Sequence, residues 1–353
     1  MPLDLEQKQL LSKARLLGSG TALPIALSDG ELSKLLAIIL NDLGKRDLIE
    51  DALQKEVGAV SEYYDLPLSW FVKEVAGSNF LSAYEKSLAL VGDIQTYFKC
   101  VCELHKRRRK YEMILQAQPL PTALQVAPRA LLEFGILASP ALASWLTWRK
   151  WFYDIDNRAA QETGYLFEPI LANALGGAPY GSRASPVRRR NDNKKGRQVD
   201  CIVGTDAYEF KLRVTIAASG QGRFGEELDF AKDCVASGLR PVLLVLDPTP
   251  SHRLDDLASA FRDAGGEAHI GDEAWEHIEA RSGPTMATFV EKYVRTPISS
   301  LDEHMIELLD LRVSAGADQR EFRIDLGNDH SWTIARREDV SLATEEDENF
   351  GGE

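Results

Sequence analysis

The sequence lacks several features that would place it in a membrane or outside the cell. None of its apolar runs approaches the roughly 20 residues that a membrane-spanning helix requires. Its N-terminus, Met-Pro-Leu-Asp-Leu-Glu, has none of the features of a signal peptide. It has only four cysteines, and Cys100 and Cys102 have neither the spacing of a zinc site nor that of a disulfide framework. These absences favour a protein of the reducing cytoplasm.

Two common catalytic motifs are also missing. Gly18-Ser-Gly20 is not followed by the Lys-Ser/Thr of a phosphate-binding P-loop, and the six histidines form no His-Glu-x-x-His zinc helix. Four histidines of the C-terminal half stand singly, as ordinary surface or core histidines do: His252, His269, His277 and His304. The sequence therefore gives little support to a P-loop nucleotidase or a zinc-helix protease.

Basic residues are few in this chain but strongly concentrated. The net charge of −13 by itself argues against a nucleic-acid partner. The segment from Gly181 to Arg223, however, contains ten basic and four acidic residues, a net charge of +6. Acidic residues are placed elsewhere, including the tail at 345–348. A basic segment within an acidic protein predicts local contact with phosphate groups.

The N-terminal third of the chain has the pattern of a helical region. Leucines recur at about 3.6-residue intervals, which is typical of amphipathic helices. The predicted helices cover 3–17, 30–57, 66–76 and a long segment from Leu81 to about Gln116. The basic run at 106–110 falls on that last helix, where it forms either a solvated face or a contact with the DNA backbone.

From about residue 140 the pattern changes to alternating helices and strands, which predicts an α/β (α+β) fold. A helix at 157–175 ends at Gly176-Gly177, and a polar, Arg-rich loop follows at 182–197. The next predicted elements are strands Gln198–Val203 and Tyr208–Ile216, helix Glu226–Ser237, buried strand Pro241–Leu246, helix 253–264, strand Glu267–Ile270, helix Asp272–Arg281, and a hairpin of Glu321–Leu326 with Ser331–Ala335. We expect four regions: helical 1–135, catalytic 136–300, a C-terminal helix and hairpin at 301–336, and a disordered acidic tail at 337–353.

One short constellation in the middle of the chain carries chemistry. Glu209 and Lys211 are two residues apart on one predicted strand, so their side chains point the same way and lie roughly 7 Å apart along the backbone. Asp200 lies on the preceding strand, one turn earlier, where it can converge with them. Two carboxylates beside an ammonium group suit a divalent cation and an activated water molecule. The constellation predicts cleavage of phosphodiester bonds.

An acidic residue two positions before a lysine is weak evidence when it stands alone. Such triplets occur three times here, at Glu6/Lys8, Asp192/Lys194 and Glu209/Lys211. The first falls in a predicted helix and the second in a polar loop, so only the third has strand geometry. Asp200, Glu209 and Lys211 could still be ordinary polar residues on the outer face of a hairpin. The preceding helix with Glu168, the basic loop and the following αβ unit favour a site.

The order of these elements resembles the PD-(D/E)xK nuclease superfamily, and in particular its type II restriction endonucleases. The resemblance rests on Gly164-x-x-x-Glu168, on Asp200-x8-Glu209-x-Lys211, and on the helix and buried strand that follow. It covers roughly 157–280, and Val199 stands where the family pattern has proline. The runs 211–223 and 246–250 are similar to the ApaLI-like restriction enzymes. The resemblance implies a restriction-endonuclease-like αβββαβ core and, for that subfamily, the palindrome GTGCAC.

The resemblance also implies roles for particular residues. Asp200 and Glu209 would hold Mg²⁺, Lys211 would position and polarise the attacking water, and cleavage would leave 5′-phosphate ends. Glu168 would act as an outer-shell or second-metal ligand, with Gly164 allowing another backbone to approach its helix. The residues expected to contact double-stranded DNA are Arg188, Arg189, Arg190, Lys194, Lys195, Arg197, Arg213, Gln221 and Arg223.

Cleavage of both strands of a palindrome implies a homodimer, and restriction implies a companion DNA methyltransferase. Two other functions remain open at the level of sequence. A structure-specific or repair nuclease would share this chemistry without sequence specificity. A non-catalytic DNA-binding module would bear the same carboxylates by coincidence.

Overall fold

The computed structural model describes residues 3–18, 23–57, 62–75, 77, 79–212, 221–304, 308–327 and 330–337. Its α-helices are α1 (Leu5–Arg15), α2 (Asp29–Asp42), α3 (Asp51–Val57), α4 (Leu68–Val72), α5 (Phe80–Leu90), α6 (Ile94–Ala117), α7 (Ala123–Ala130), α8 (Ser139–Ala174), α9 (Gln221–Ala236), α10 (His252–Asp263), α11 (Asp272–Val290) and α12 (Thr296–His304). Its strands are β1 (Leu16–Leu17), β2 (Ile25–Ala26), β3 (Ala178–Tyr180), β4 (Arg188–Arg189), β5 (Asp192–Gly196), β6 (Val199–Val203), β7 (Asp206–Lys211), β8 (Arg240–Val245), β9 (Glu267–Ile270), β10 (Leu311–Ala315), β11 (Glu321–Leu326) and β12 (His330–Ala335).

A five-stranded mixed sheet is the centre of the molecule, and it confirms the expected α/β class. The strand order is β3-β6-β7-β8-β9. The pairs β3–β6 and β6–β7 are antiparallel, whereas β7–β8 and β8–β9 are parallel. Because a parallel pair needs a crossover connection, α9 joins β7 to β8 and α10 joins β8 to β9.

Two hydrophobic cores cover the faces of this sheet. Side chains alternate along β7, so Tyr208 belongs to a core with the N-terminal helices, α8 and α11, while Ala207 belongs to a core with α9 and α10. The first core includes residues from α1 to α11, and it therefore fixes the N-terminal helices against the sheet. The C-terminal antiparallel sheet, β10-β11-β12, packs on α6 and α8 through Phe322 and Trp151.

Several helix boundaries differ from the sequence-based expectations. The long N-terminal helix is two helices, because Asp93 adopts the left-handed φ of 56° between α5 and α6. The segment at 66–76 forms only the short α4, whereas the helix expected at 157–175 is the end of the 36-residue α8. That end is as expected, since Gly176 has a positive φ of 74°. Gly177 then lets the chain approach β6, because a Cβ there would overlap Cys201.

The basic run on α6 is folded into the interior rather than solvated. Lys106 and Lys110 are buried, and the Nζ of Lys110 lies 2.9 Å from Glu162 of α8. The guanidinium of Arg107 also donates a hydrogen bond to Glu162, which is itself buried. Both expectations for this run are wrong for the two buried lysines, because packing of α6 removes them from solvent and gives them partners inside the protein.

No helix among the described residues is both long enough and apolar enough to span a bilayer. The acidic tail, from 338 onward, lies outside the described residues, as does the turn at 328–329 of the C-terminal hairpin.

Candidate active site

Strands β6 and β7 bring the two sequence-predicted carboxylates together. Cys201 pairs with Tyr208 in antiparallel register, so Asp200 lies opposite Glu209. Asp200 is buried, and its Oδ2 accepts a 2.8 Å hydrogen bond from the backbone N–H of Phe210. This bond fixes the carboxylate across the strand pair, one residue from Glu209.

Lys211 completes the constellation that the sequence predicts. Its Nζ lies 2.8 Å from Oε1 of Glu209 and 3.3 Å from Oε1 of Glu227. Burial by itself lowers the pKa of Lys211, but the two carboxylates outweigh burial and raise it above the ordinary value. The ammonium is therefore charged at neutral pH and can donate hydrogen bonds.

Glu227 is a member of this cluster that sequence reasoning missed. It projects from α9, sixteen residues after Lys211, and belongs to no recognisable motif. Its second carboxylate oxygen, Oε2, is buried without a hydrogen-bond partner among the described atoms. The strands and α9 therefore hold Lys211 between two carboxylates.

Glu168 reaches the same site from α8. It lines a cleft of about 200 Å³ together with Gly164 on its own helix and with Phe210 and Lys211 of β7. Burial and the charge of Glu209 raise the pKa of Glu168, while Lys211 opposes this effect. The structure thus brings together all four residues expected to be catalytic: Asp200, Glu209, Lys211 and Glu168.

Gly164 does not have the role that the sequence suggested. A Cβ at this position would meet no atom within 4 Å, so no other backbone approaches the helix there. Gly164 instead keeps one wall of the cleft open beside Glu168.

The electrostatics of the cluster fit a bound cation. Burial raises the pKa of Asp200 well above its ordinary value, and the charges of Glu209 and Glu168 add to that effect. Carboxylate oxygens are hard ligands of the kind that Mg²⁺ prefers. Among the described residues these three carboxylates do not form a triplet with all donor atoms within 4.8 Å, so ligation of one ion by all three requires side-chain rotation.

The Arg-rich segment forms the β4–β5 hairpin rather than a loop. Gly196 allows this fold, because a Cβ there would overlap the backbone oxygen of Ser182. Residues of the hairpin and of the preceding turn line a cleft of about 580 Å³: Ser182, Arg183, Arg188, Arg189, Lys194, Lys195 and Gly196. Arg188, Lys194 and Lys195 are exposed there, which places three expected DNA contacts in one basic groove. We call this cleft the basic groove.

The other arginines of the hairpin are tied to α9. Arg197 is buried, with its Nε 2.7 Å from Oδ2 of Asp233. Arg190 bonds Asp233 and Asp229, and Arg189 lies 3.0 Å from Glu226. The charge of Arg197 is therefore used inside the protein, whereas Arg189 and Arg190 are partly available at the surface.

Three of the residues expected at the DNA interface have no described side chain. Arg213 lies outside the described residues. Gln221 and Arg223 are described only as backbone, in the first turn of α9. That helix begins five residues earlier than expected, so both lie on a helix rather than in a glycine-rich loop.

Comparison with known proteins agrees with this geometry. The sequence pattern of the ApaLI-like restriction endonuclease family matches residues 49–295. The type II restriction enzyme ApaLI of Acetobacter pasteurianus is 47% identical over 368 aligned positions, which cover 98% of each chain. No solved structure shows a significant match. These similarities favour restriction over the repair-nuclease and DNA-binding-module alternatives. The chain therefore belongs to the ApaLI-like restriction endonuclease family, and it is a type II site-specific deoxyribonuclease that acts on DNA.

Proposed function

We propose that Asp200, Glu209 and Lys211 are the catalytic residues of this endonuclease, supported by Glu168 and Glu227. The observation that carries the proposal is the convergence of Asp200 and Glu209 with the Lys211 ammonium, which lies 2.8 Å from Glu209. Members of this enzyme class generally depend on a metal ion, and the crowded carboxylates suit Mg²⁺, held by Asp200 and Glu209. When bound, Mg²⁺ offsets negative charge on the phosphate and lowers the pKa of water.

The side chains of this protein supply the remaining parts of the mechanism. The Lys211 ammonium donates a hydrogen bond that orients the attacking water toward phosphorus, in line with the leaving 3′ oxygen. Glu209 and Glu227 hold that ammonium in place from two sides. The water oxygen forms a new bond to phosphorus as the P–O3′ bond breaks. The attacking water loses a proton to solvent, the leaving 3′ oxygen takes up a proton from solvent, and the products carry 5′-phosphate and 3′-hydroxyl ends.

The proposed DNA contact is the basic groove. None of the described residues that line it is acidic, and of its exposed residues Arg188, Lys194 and Lys195 the last lies 3.4 Å from Asp192. Each phosphate contact changes the slope of log affinity against log salt by about 0.9. We expect Arg188→Ala with Lys194→Ala to reduce that slope by about 2, as measured by fluorescence anisotropy. A slope equal to that of the unmodified enzyme would contradict the groove as a DNA surface.

The proposed recognition sequence is the palindrome GTGCAC, which the 47% identity to ApaLI supports. Incubation of phage DNA with the enzyme and Mg²⁺, followed by sequencing of the fragment ends, tests this proposal. Discrete fragments that all end at GTGCAC are expected. Fragments ending at another single palindrome would contradict the assigned sequence and retain the enzyme class. A companion DNA methyltransferase that protects the same palindrome, and a cytoplasmic location, belong to this proposal.

The proposed assembly is a homodimer, which would place one active site on each DNA strand. The α7–α8 segment offers an apolar surface for it, with five side chains 61–88% exposed: Leu124, Leu131, Leu132, Phe134 and Ile136. The inner side of α7 is already packed against α8 by Val126 and Leu142. Light scattering of Leu132→Glu with Phe134→Glu should show a monomer, and Leu90→Glu, at another exposed leucine, should remain a dimer. A dimeric double variant would exclude this surface.

A further inference from the structure

A second cluster of metal-ligating side chains lies at the edge of the central sheet. Glu267 and His269 are two residues apart on the edge strand β9, so their side chains point to the same face of the sheet. His277 projects from α11, which follows β9 directly in the chain. Sequence alone gave no reason to join the two histidines, because eight residues and a change of element separate them.

The three side chains are close enough to share one ion. Their donor atoms all lie within 4.8 Å of one another, and Nε2 of His269 is 3.0 Å from Oε2 of Glu267. Ligands around a tetrahedral zinc ion with bonds of about 2.1 Å lie roughly 3.4 Å apart. Small side-chain rotations would therefore close the cluster around an ion.

Nearby charges leave the ligand atoms accessible. Arg240 bonds the other oxygen of Glu267, Oε1, at 2.6 Å, so Oε2 faces His269. Arg240 and Arg281 are both paired with Asp206, which offsets one of their two positive charges beside the cluster. The side chains of His269 and Glu267 are 25% and 35% exposed, so an ion can enter from solvent.

We propose that Glu267, His269 and His277 bind one divalent transition-metal ion, of the zinc and cobalt class. Two imidazoles and one carboxylate favour such an ion over Mg²⁺, which prefers oxygen ligands. Three protein ligands with a fourth position left for water are common in zinc sites. The ion would fasten the edge strand β9 to α11.

The bound ion would also be linked to strand β7 through His277 and Tyr208. The hydroxyl of Tyr208 lies 3.1 Å from Nε2 of His277, and Tyr208 precedes Glu209 on β7. A metal ion held by His277 would thus stiffen the face of the sheet opposite the catalytic carboxylates. This role needs no metal at Asp200 and does not depend on the proposed catalytic mechanism.

The test is calorimetric titration of Zn²⁺ into chelator-stripped enzyme in a large excess of Mg²⁺. We expect one Zn²⁺ per chain in the unmodified enzyme and in His252→Ala, which removes an exposed histidine elsewhere. Binding should persist in Asp200→Asn and fall at least tenfold in affinity in His269→Ala and in His277→Ala. Tetrahedral Co²⁺ absorption should be lost in the same two variants.

Two results would overturn the proposal. One is Zn²⁺ binding that is unchanged in both histidine variants, and the other is binding that disappears in Asp200→Asn. Thermal melting in chelator separates a metal effect from misfolding. If His269→Ala melts below the unmodified enzyme in chelator, Glu267→Gln, which keeps the shape of the side chain, takes its place in the titration. Unchanged affinity in Glu267→Gln would then count against the site.

Discussion

Acidic side chains are buried in two regions of this molecule, and their pKa values shift in opposite directions. Among the N-terminal helices, burial by itself raises the pKa of Glu31, but the nearby imidazole of His105, hydrogen bonds with Ser28 and the charge of Arg109 lower it to about 2. In the central sheet, burial and neighbouring carboxylates raise the pKa of Asp200. The helical region surrounds its buried carboxylate with basic and hydrogen-bonding groups, whereas the central sheet places several carboxylates beside one another.

This difference separates a buried charge that the protein itself compensates from one that it leaves beside like charges. Lys106 and Lys110 are as buried as Asp200, yet each is fully engaged by carboxylates or by backbone carbonyl oxygens. A buried charge therefore does not mark a functional site by itself. An excess of one sign of charge, held in place by strands, does so because a ligand of opposite charge must complete it.

The largest expected effect is the loss of cleavage in Lys211→Ala. Without the ammonium nothing orients the attacking water, so the cleavage rate should fall by roughly a thousandfold or more. Binding to a GTGCAC duplex in Ca²⁺, measured by gel shift, should remain nearly unchanged. Lys8→Ala is the matched control, since Lys8 belongs to the helical triplet of the same pattern and should cleave normally. Normal cleavage by Lys211→Ala would refute the assigned site.

The next largest effect concerns stability in the helical region. Glu31→Gln removes the compensated charge and should lower the free energy of unfolding by about 3 kcal/mol, from a pKa lowered from 4.5 to about 2. Because the folded-state pKa is depressed, this stabilisation is present above about pH 4.5 and is lost as the pH falls toward 2.

Urea unfolding at pH 7 and at pH 3 measures this effect, and the gap between variant and unmodified enzyme should narrow at pH 3. Glu6→Gln, at an exposed position of α1, is the control and should change stability by less than about 0.5 kcal/mol. If Glu31→Gln were as stable as this control, the ionised Glu31 carboxylate would not contribute to the stability of the helical region.

A smaller effect is expected for Glu227→Gln. The substitution keeps the shape of the side chain but removes one of the two charges that hold Lys211, so kcat should fall about tenfold, equivalent to about 1.4 kcal/mol. DNA affinity should not change. Glu273→Gln, at an exposed acidic position on α11, serves as the control in the same single-turnover assay. An unchanged kcat in Glu227→Gln would restrict the cluster to the four residues expected from sequence.

The smallest effect has the opposite sign to that of Glu31→Gln. Asp200→Asn relieves carboxylate crowding while the amide oxygen still accepts from Phe210 N–H, so the chelator-treated protein should gain about 1 kcal/mol of stability. Thermal melting with and without Mg²⁺ measures it, and Mg²⁺ should stabilise the unmodified enzyme more than the variant. If Asp200→Asn instead lost as much stability as Glu31→Gln, the two buried carboxylates would both stabilise the fold, and the contrast between the two regions would be wrong.

The sequence could predict the parts of the site that depend on local periodicity. Alternation along one strand was enough to place Glu209 and Lys211 on the same face, and the strand before it supplied Asp200. Glycines predicted the end of α8 equally well, because a left-handed turn at Gly176 follows from local sterics. The alternation of predicted helices and strands after residue 140 indicated the α/β fold class, because each element has its own local periodicity.

Features set by packing between distant segments could not be predicted. Glu227 reaches Lys211 only because the α9 crossover lies on the face of β7 that bears Glu209 and Lys211. The basic run on α6 has the composition of a solvated face, and only its docking against α8 buries Lys106 and Lys110. Strand β3 was missed because three residues give no periodic pattern.

Helix α9 has a further consequence for how the enzyme responds to DNA. One side of this helix holds the β4–β5 hairpin through Asp233 and Arg197, and Glu227 on the same helix contacts Lys211. The hairpin that lines the basic groove and the ammonium of Lys211 are therefore both held by the same helix. A substitution that tilts α9 would move both the hairpin and Lys211. DNA affinity and cleavage rate would then change together, so neither could be altered through α9 alone.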